Sequence, residues 1–161
     1  MAAFIQFEKI KGDCTEKGHE NWIEVLSFSH AVAMAVSGTG MAAGAHASGK
    51  TMHQDFSITK FLDSASPTLA LFCSKGTHIP NVKFELWRAM GDKTRYMMYE
   101  LEDCIISSVS VGGTGEDIAS EEVSIHYSQM KWTYTPTTPE KGAAKKADVI
   151  AGFNLAKNEQ V

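Results

Sequence analysis

Cysteine is scarce in this chain. The three residues, Cys14, Cys73 and Cys104, are odd in number, far apart and without a C-x-x-C pair, which excludes a disulfide framework or a zinc ribbon and leaves reduced thiols. Basic excess is missing too: fifteen Lys and Arg against nineteen Asp and Glu give a formal charge of -4. That balance argues against nucleic acid as a partner, and Lys141 to Lys146 is too short and too diluted by Ala and Gly to form a basic patch. No apolar stretch approaches a membrane span, so membrane insertion is not expected. The N-terminus, Met-Ala-Ala-Phe-Ile-Gln-Phe-Glu-Lys, has no basic n-region and its apolar run is broken by Gln6, Glu8 and Lys9. It does not read as a Sec-type signal peptide, and the chain is expected to be made and folded in the cytoplasm.

Catalytic signatures are equally thin. No G-x-S-x-G elbow appears. The six histidines, His19, His30, His46, His53, His78 and His126, include no pair at metal spacing, so surface or structurally satisfied histidines are expected and neither a metal nor a cofactor is called for. Acids cluster at Glu100, Glu102 and Asp103, at Glu116 and Asp117 and at Glu121 and Glu122. Adjacent acids beside loops read as a solvated rim rather than as the separated carboxyl pair of glycoside chemistry. Trp22, Trp87 and Trp132 all fall in strand-like stretches, where burial in a core or a subunit seam is the simpler reading.

Against these absences stands one literal motif. Gly44 to Thr51 reads Gly-Ala-His-Ala-Ser-Gly-Lys-Thr, matching the phosphate-binding pattern G-x-x-x-x-G-K-[ST]. That pattern binds phosphate only where the turn opens a helix, whose N–H groups and dipole converge on the anion. After Lys50 the chain alternates instead: Met52, Gln54, Phe56, Ile58 and Lys60 share one parity, and His53, Asp55, Ser57 and Thr59 the other. A nucleotide-binding protein is the alternative this string supports. The favoured reading is a long loop from Ser37 to Gly49, made almost wholly of small residues with Met41 and His46.

The rest of the chain is dominated by strand patterns. Strands are predicted at Ala3 to Ile10, at Trp22 to Val36 with a bend near Leu26, and at about Lys50 to Lys60. Others follow from Val82 to Met90, at Thr94 to Val111, at Glu121 to Thr135 with another bend, and from Val149 to Leu155. One short helix is predicted over about residues 66–75, with Ser66 as its cap, Pro67 at its first position and Gly76 as its stop. Gly112 to Asp117 makes a second glycine-rich loop, and 136–148 reads as a flexible connection. The sum is a mainly β chain: one domain over 1–161, an antiparallel barrel or sandwich with a helix closing one face. Tyr96 to Ile106 carries apolar residues on both parities, so something is expected to cover the second face, either the helix or a neighbouring subunit.

Taken in order, these segments resemble the haemolysin-coregulated protein family. The resemblance rests on Trp22-Ile23-Glu24-Val25-Leu26-Ser27-Phe28-Ser29-His30, on Phe56-Ser57-Ile58-Thr59-Lys60-Phe61-Leu62-Asp63, and on Ser66-Pro67 with Cys73 and Gly76. Phe84 with Arg88 and Gly91-Asp92, Ile105-Ile106-Ser107-Ser108-Val109, and Val123 with Tyr127 and Trp132-Thr133-Tyr134 extend it over nearly the whole chain. It implies a tail-tube-like β-barrel with one helix that forms hexameric rings, stacked into the hollow tube of the bacterial type VI secretion system. It implies a spike protein, sheath subunits and effector proteins as partners, secretion by that machine without a cleaved signal peptide, and no catalysis. The chain ends near the terminus the family leads one to expect, so a toxin extension is not anticipated. Within this frame Ser37, Gly38, Thr39, Gly40, Met41, Gly44, His46 and Gly49 are assigned to a subunit-contact or ring-stacking loop, and Gly112, Gly113, Thr114 and Gly115 to the edge of the lumen. A ring-forming effector chaperone that builds no tube is the remaining alternative.

Overall fold

The computed structural model describes residues 1–37, 47–88, 93–115, 117–136 and 147–161. Strand β1 (Ala2–Phe7) opens the chain, its alternation placing Ala3, Ile5 and Phe7 in the core. β2 (Ile23–Glu24) and β3 (Ser27–Ser29) follow, joined by Val25 and Leu26. These two residues turn the chain from one sheet into another. The Val25 N–H donates to the Ala3 carbonyl of β1 at 2.9 Å, and the Leu26 N–H donates to the Thr59 carbonyl at 2.8 Å. The bend predicted near Leu26 is therefore present, but it splits the predicted Trp22–Val36 strand rather than curving it. Trp22 lies just outside the strands, and a second break at His30 and Ala31 starts β4 (Val32–Ser37).

The strand predicted at Lys50 to Lys60 is likewise two, β5 (Ala47–His53) and β6 (Phe56–Phe61). Gln54 and Asp55 interrupt it because both are engaged elsewhere: the Gln54 N–H donates to the Ala31 carbonyl at 2.9 Å, and Asp55 accepts from Ser107 Oγ at 2.6 Å. Helix α1 (Ser66–Lys75) has the predicted span, and Gly76 ends it in the left-handed conformation (φ 63°) as a small residue without a Cβ can. Its start differs in detail. Ala65 is the capping position, with no side-chain cap, and Ser66 lies inside the helix. The Ser66 hydroxyl is diverted instead, accepting from the Asp63 N–H at 3.0 Å and donating to Glu121 Oε1 at 2.6 Å.

Five further strands, β7 (Ile79–Arg88), β8 (Thr94–Gly112), β9 (Ser120–His126), β10 (Gln129–Tyr134) and β11 (Val149–Asn154), precede the terminal pair Glu159–Gln160, β12. The stretch predicted as one bent strand from Glu121 to Thr135 does change direction, but as a break at Tyr127 and Ser128 that makes two strands of it. All pairings are antiparallel. β8 is the pivot: its first half pairs with β7 and β10 and its second half with β9. The corner falls at Asp103, whose φ is 50°. Strands that change sheets need such a local kink, and it reverses parity, so Leu101 before it and Cys104 and Ile106 after it are all buried. Much of the two-parity pattern of Tyr96 to Ile106 comes from this corner.

Pairing runs β1, β7, β8, β9, β6, β3 and, through β2, back to β1. The result is a β-barrel with one helix among the described residues. Phe56, Ile58, Phe84, Leu101, Val123 and Ile125 fill it with no exposed surface, while Leu69, Phe72 and Cys73 of α1 pack against the same core. The connection predicted at 136–148 lies, apart from Pro136, Ala147 and Asp148, outside the described residues.

Candidate assembly surfaces

β4 and β5 pair with each other and, among the described residues, with no other strand. They prolong the β3–β6 ribbon beyond the barrel as a two-stranded arm. Register is Val32 with His53, Ala33 with Met52 and Met34 with Thr51, then a bulge brings Val36 opposite Ser48. Gly49 permits that irregularity: a Cβ there would stand 3.0 Å from the Ala35 carbonyl oxygen and 3.2 Å from the Ala35 Cβ, distances that force a shift. Val32, Met34, Val36 and Met52 are all exposed, the last two at 64%. Because opposite residues of a ladder share a face, Val32 and Met34 lie on one face and Met52 on the other. An isolated hairpin is marginal in water, and clustered exposed apolar side chains mark a contact surface.

The base of the arm is anchored. His30 Nε2 hydrogen-bonds the Tyr127 hydroxyl, which itself donates to the Gln54 carbonyl at 3.0 Å. His53 stacks on Phe153 at 5.3 Å between ring centroids, and His30 packs 5.8 Å from Phe56. Burial holds the pKa of both histidines below the usual 6.5, and for His30 the neighbouring His53 adds to the effect. A group that binds a proton less well folded than unfolded gives stability that is complete above the unfolded pKa and is lost as pH falls below it. The urea midpoint is therefore expected to fall as pH is lowered from about 7.5 to about 5, and His30→Gln to flatten that dependence. A midpoint unchanged over this range would contradict the lowered proton affinity of these partly buried imidazoles.

Of the residues assigned to the long loop, Ser37 pairs with Ala47 at the end of the arm ladder and Gly49 is inside β5. The loop is thus shorter than Ser37 to Gly49. Gly38, Thr39, Gly40, Met41, Gly44 and His46 lie outside the described residues. Lys50 and Thr51 are mid-strand, with the Thr51 hydroxyl donating to the Ala33 carbonyl at 3.4 Å. A phosphate cradle needs a helix at that point, so the nucleotide reading of Gly44 to Thr51 is overturned. Gly112 ends β8 opposite Ser120, and Gly113, Thr114 and Gly115 form an exposed turn. Val111 and Ile118, both exposed, flank it.

Two buried polar clusters were not read from the sequence. Glu121, assigned to a solvated rim, is 1% exposed and paired with Lys60, which is fully buried. Lys60 Nζ also donates to Asp63 Oδ1 at 2.8 Å, to the Phe61 carbonyl at 2.9 Å and to Ser66 Oγ at 3.2 Å. The cluster ties β6, β9 and the start of α1 together. The available signal was parity, since Lys60 shares the face of Phe56 and Ile58. On the outside of the barrel, His19 from the 11–21 segment is buried against Glu85 at 2.9 Å and stacks on Phe4 at 4.2 Å. This segment, rather than the helix or a neighbour alone, covers part of the outer sheet. Burial pushes the Glu85 pKa up, but hydrogen bonds from His19, Trp87 and Arg95 outweigh it and leave the carboxyl below 4.5. Among the described residues no group of three His, Cys, Asp or Glu is placed to hold a metal. The three thiols are free, and burial pushes that of Cys104 up to about 12.

The family model described as "Type VI secretion system effector, Hcp" matches residues 4–134. The chain is 35% identical over 159 residues to Protein hcp1 of Pseudomonas aeruginosa, covering 98% of this chain and 96% of that one. It is 26% identical over 132 residues to the Major exported protein of the same organism, covering 76% and 74%. A solved type six secretion system protein superposes with a TM-score of 0.88 at 27% identity, covering 99% of both chains.

Proposed function

Since the chain belongs to the Hcp family of type VI secretion proteins, we propose that it is the tube subunit of that system: copies close into hexameric rings, and rings stack into a hollow tube that carries and delivers effectors. The observation that carries this reading is the arm. It leaves Val32, Met34, Val36 and Met52 in water on a two-stranded ribbon, apolar area whose natural cover is another copy. A ring requires a heterologous contact, one surface meeting a different surface repeated around an axis, and an arm projecting from a closed barrel supplies one half of it. Ser37 and Gly49 belong to this contact on the proposal, and the exposed turn Gly112 to Gly115 borders the lumen. Spike, sheath and effector proteins are the further partners, and the protein is folded in the cytoplasm before type VI secretion. A structural role rather than catalysis fits the family.

The test is direct. Purified protein is expected to elute in light-scattering chromatography at about six times the 17.5 kDa chain mass, and negative-stain images to show rings with a central hole. A species that stays monomeric at every concentration would sink the proposal.

A further inference from the structure

Where the arm docks is a separate question, and a second surface answers it. At the end of the β3–β6 ribbon opposite the arm, Leu26 and Phe61, each 49% exposed, line a small groove. Cys14 and the acidic residues Asp13, Glu24 and Asp63 complete its lining, with the Asp13 carboxylate accepting from Ser64 and that of Asp63 from Lys60. Its volume is about 230 Å³, below the roughly 300–1,000 Å³ of small-molecule sites. A groove of this size takes one or two side chains. The arm offers the complement: from Val32 to His53 it contains no Asp or Glu and a single Lys or Arg, Lys50, exposed in β5 beside Met52.

We propose that the arm of one copy seats in this acid-lined groove of the next, with the apolar Met52 side chain over Leu26 and Phe61 and Lys50 facing Glu24 and Asp13. The inference rests on the ring-forming reading above and assigns the partner surface that reading leaves open. Ribbon geometry favours a second copy over self-docking. β3 pairs with β6 from Ser27 opposite Thr59 to Ser29 opposite Ser57; the groove lies beyond the Thr59 end, and the arm leaves from the Ser57 end. An arm pointing away along the ribbon cannot return to its own groove without reversing direction. The same arrangement joins the two ends of successive ribbons head to tail, the heterologous contact that propagates. Opposite charge at a partly exposed rim chiefly sets register and partner choice.

Cys14 gives a built-in reporter. The full-length Met52→Cys variant, assembled and treated with oxidised glutathione, is expected to form inter-chain disulfides that peptide mapping assigns to the introduced thiol and Cys14, and Cys14→Ser is expected to reduce them at least about tenfold. In chains without the added cysteine, Glu24→Lys should raise the concentration for half-assembly by about tenfold, with Lys50→Glu in the same chain recovering most of the loss. Cross-links mapping to Cys73, or none at all, together with charge reversals that leave assembly unchanged, would overturn the groove while rings in the images left the tube reading intact. Absence of rings in every variant and in the parent protein would instead remove the tube reading itself, and this docking with it.

Discussion

Lys60→Met is expected to destabilise the barrel by about 3–5 kcal/mol, the range for removing one member of a buried ion pair. The loss comes from what stays behind. Glu121, 1% exposed, would keep its charge inside the protein with Ser66 Oγ as its remaining hydrogen-bond donor, and desolvation of an unpaired carboxylate is the large term. In a chain of this length that corresponds to a melting temperature lower by roughly 10 °C. Changing both partners separates charge from packing. Lys60→Met with Glu121→Leu removes the pair together, and such replacements are often neutral or better, so the double variant should regain most of the lost stability. A single variant that costs under about 1 kcal/mol would show that the cluster is hydrated in solution. Assembly is also touched, because Lys60 holds Asp63 and Asp63 lines the proposed groove.

Local chemistry was legible in the sequence, and so were the bends near Leu26 and within 121–135, but the distant partners that set the tertiary corners were not. The span of α1 could be read directly, since Gly76 and Pro67 act on the residues beside them. β7 and β8 were located closely because both are long runs of strand-forming residues bounded by turn residues, even though the kink at Asp103 reverses the parity of β8. By contrast, the breaks at Val25 and Leu26, at His30 and Ala31, and at Gln54 and Asp55 arise where a strand changes sheet or leaves the barrel, and their partners, Ala3, Thr59, Ala31 and Ser107, are set by the fold. The same holds for side chains. His30 meets Tyr127 across 97 positions, Lys60 meets Glu121 across 61, and no spacing rule spans such separations. The Gly-Lys-Thr string errs the other way: it is local and literal, yet the strand around it supplies the wrong backbone for phosphate.

Phe56→Ala is expected to cost about 3–5 kcal/mol, as for other buried aromatics cut to alanine, and to affect the arm more than any comparable core change. Phe56 has no exposed surface. Its ring lies 5.0 Å from that of Phe84, 5.4 Å from that of Tyr99 and 6.3 Å from that of Phe28, so truncation leaves a cavity between three strands that cannot all close on it. It is also the first residue of β6, the strand reached directly from the arm, and it packs 5.8 Å from His30 at the arm's base. Cavity formation therefore loosens the joint between ribbon and arm as well as the barrel. Phe56→Leu keeps an apolar side chain of nearer volume and should cost clearly less. Urea denaturation gives the stability difference, and the ring fraction by light scattering, measured where both variants remain folded, gives the effect on assembly. Equal assembly of folded Phe56→Ala and parent protein would mean that the arm is held by Tyr127 and Phe153 without help from the core.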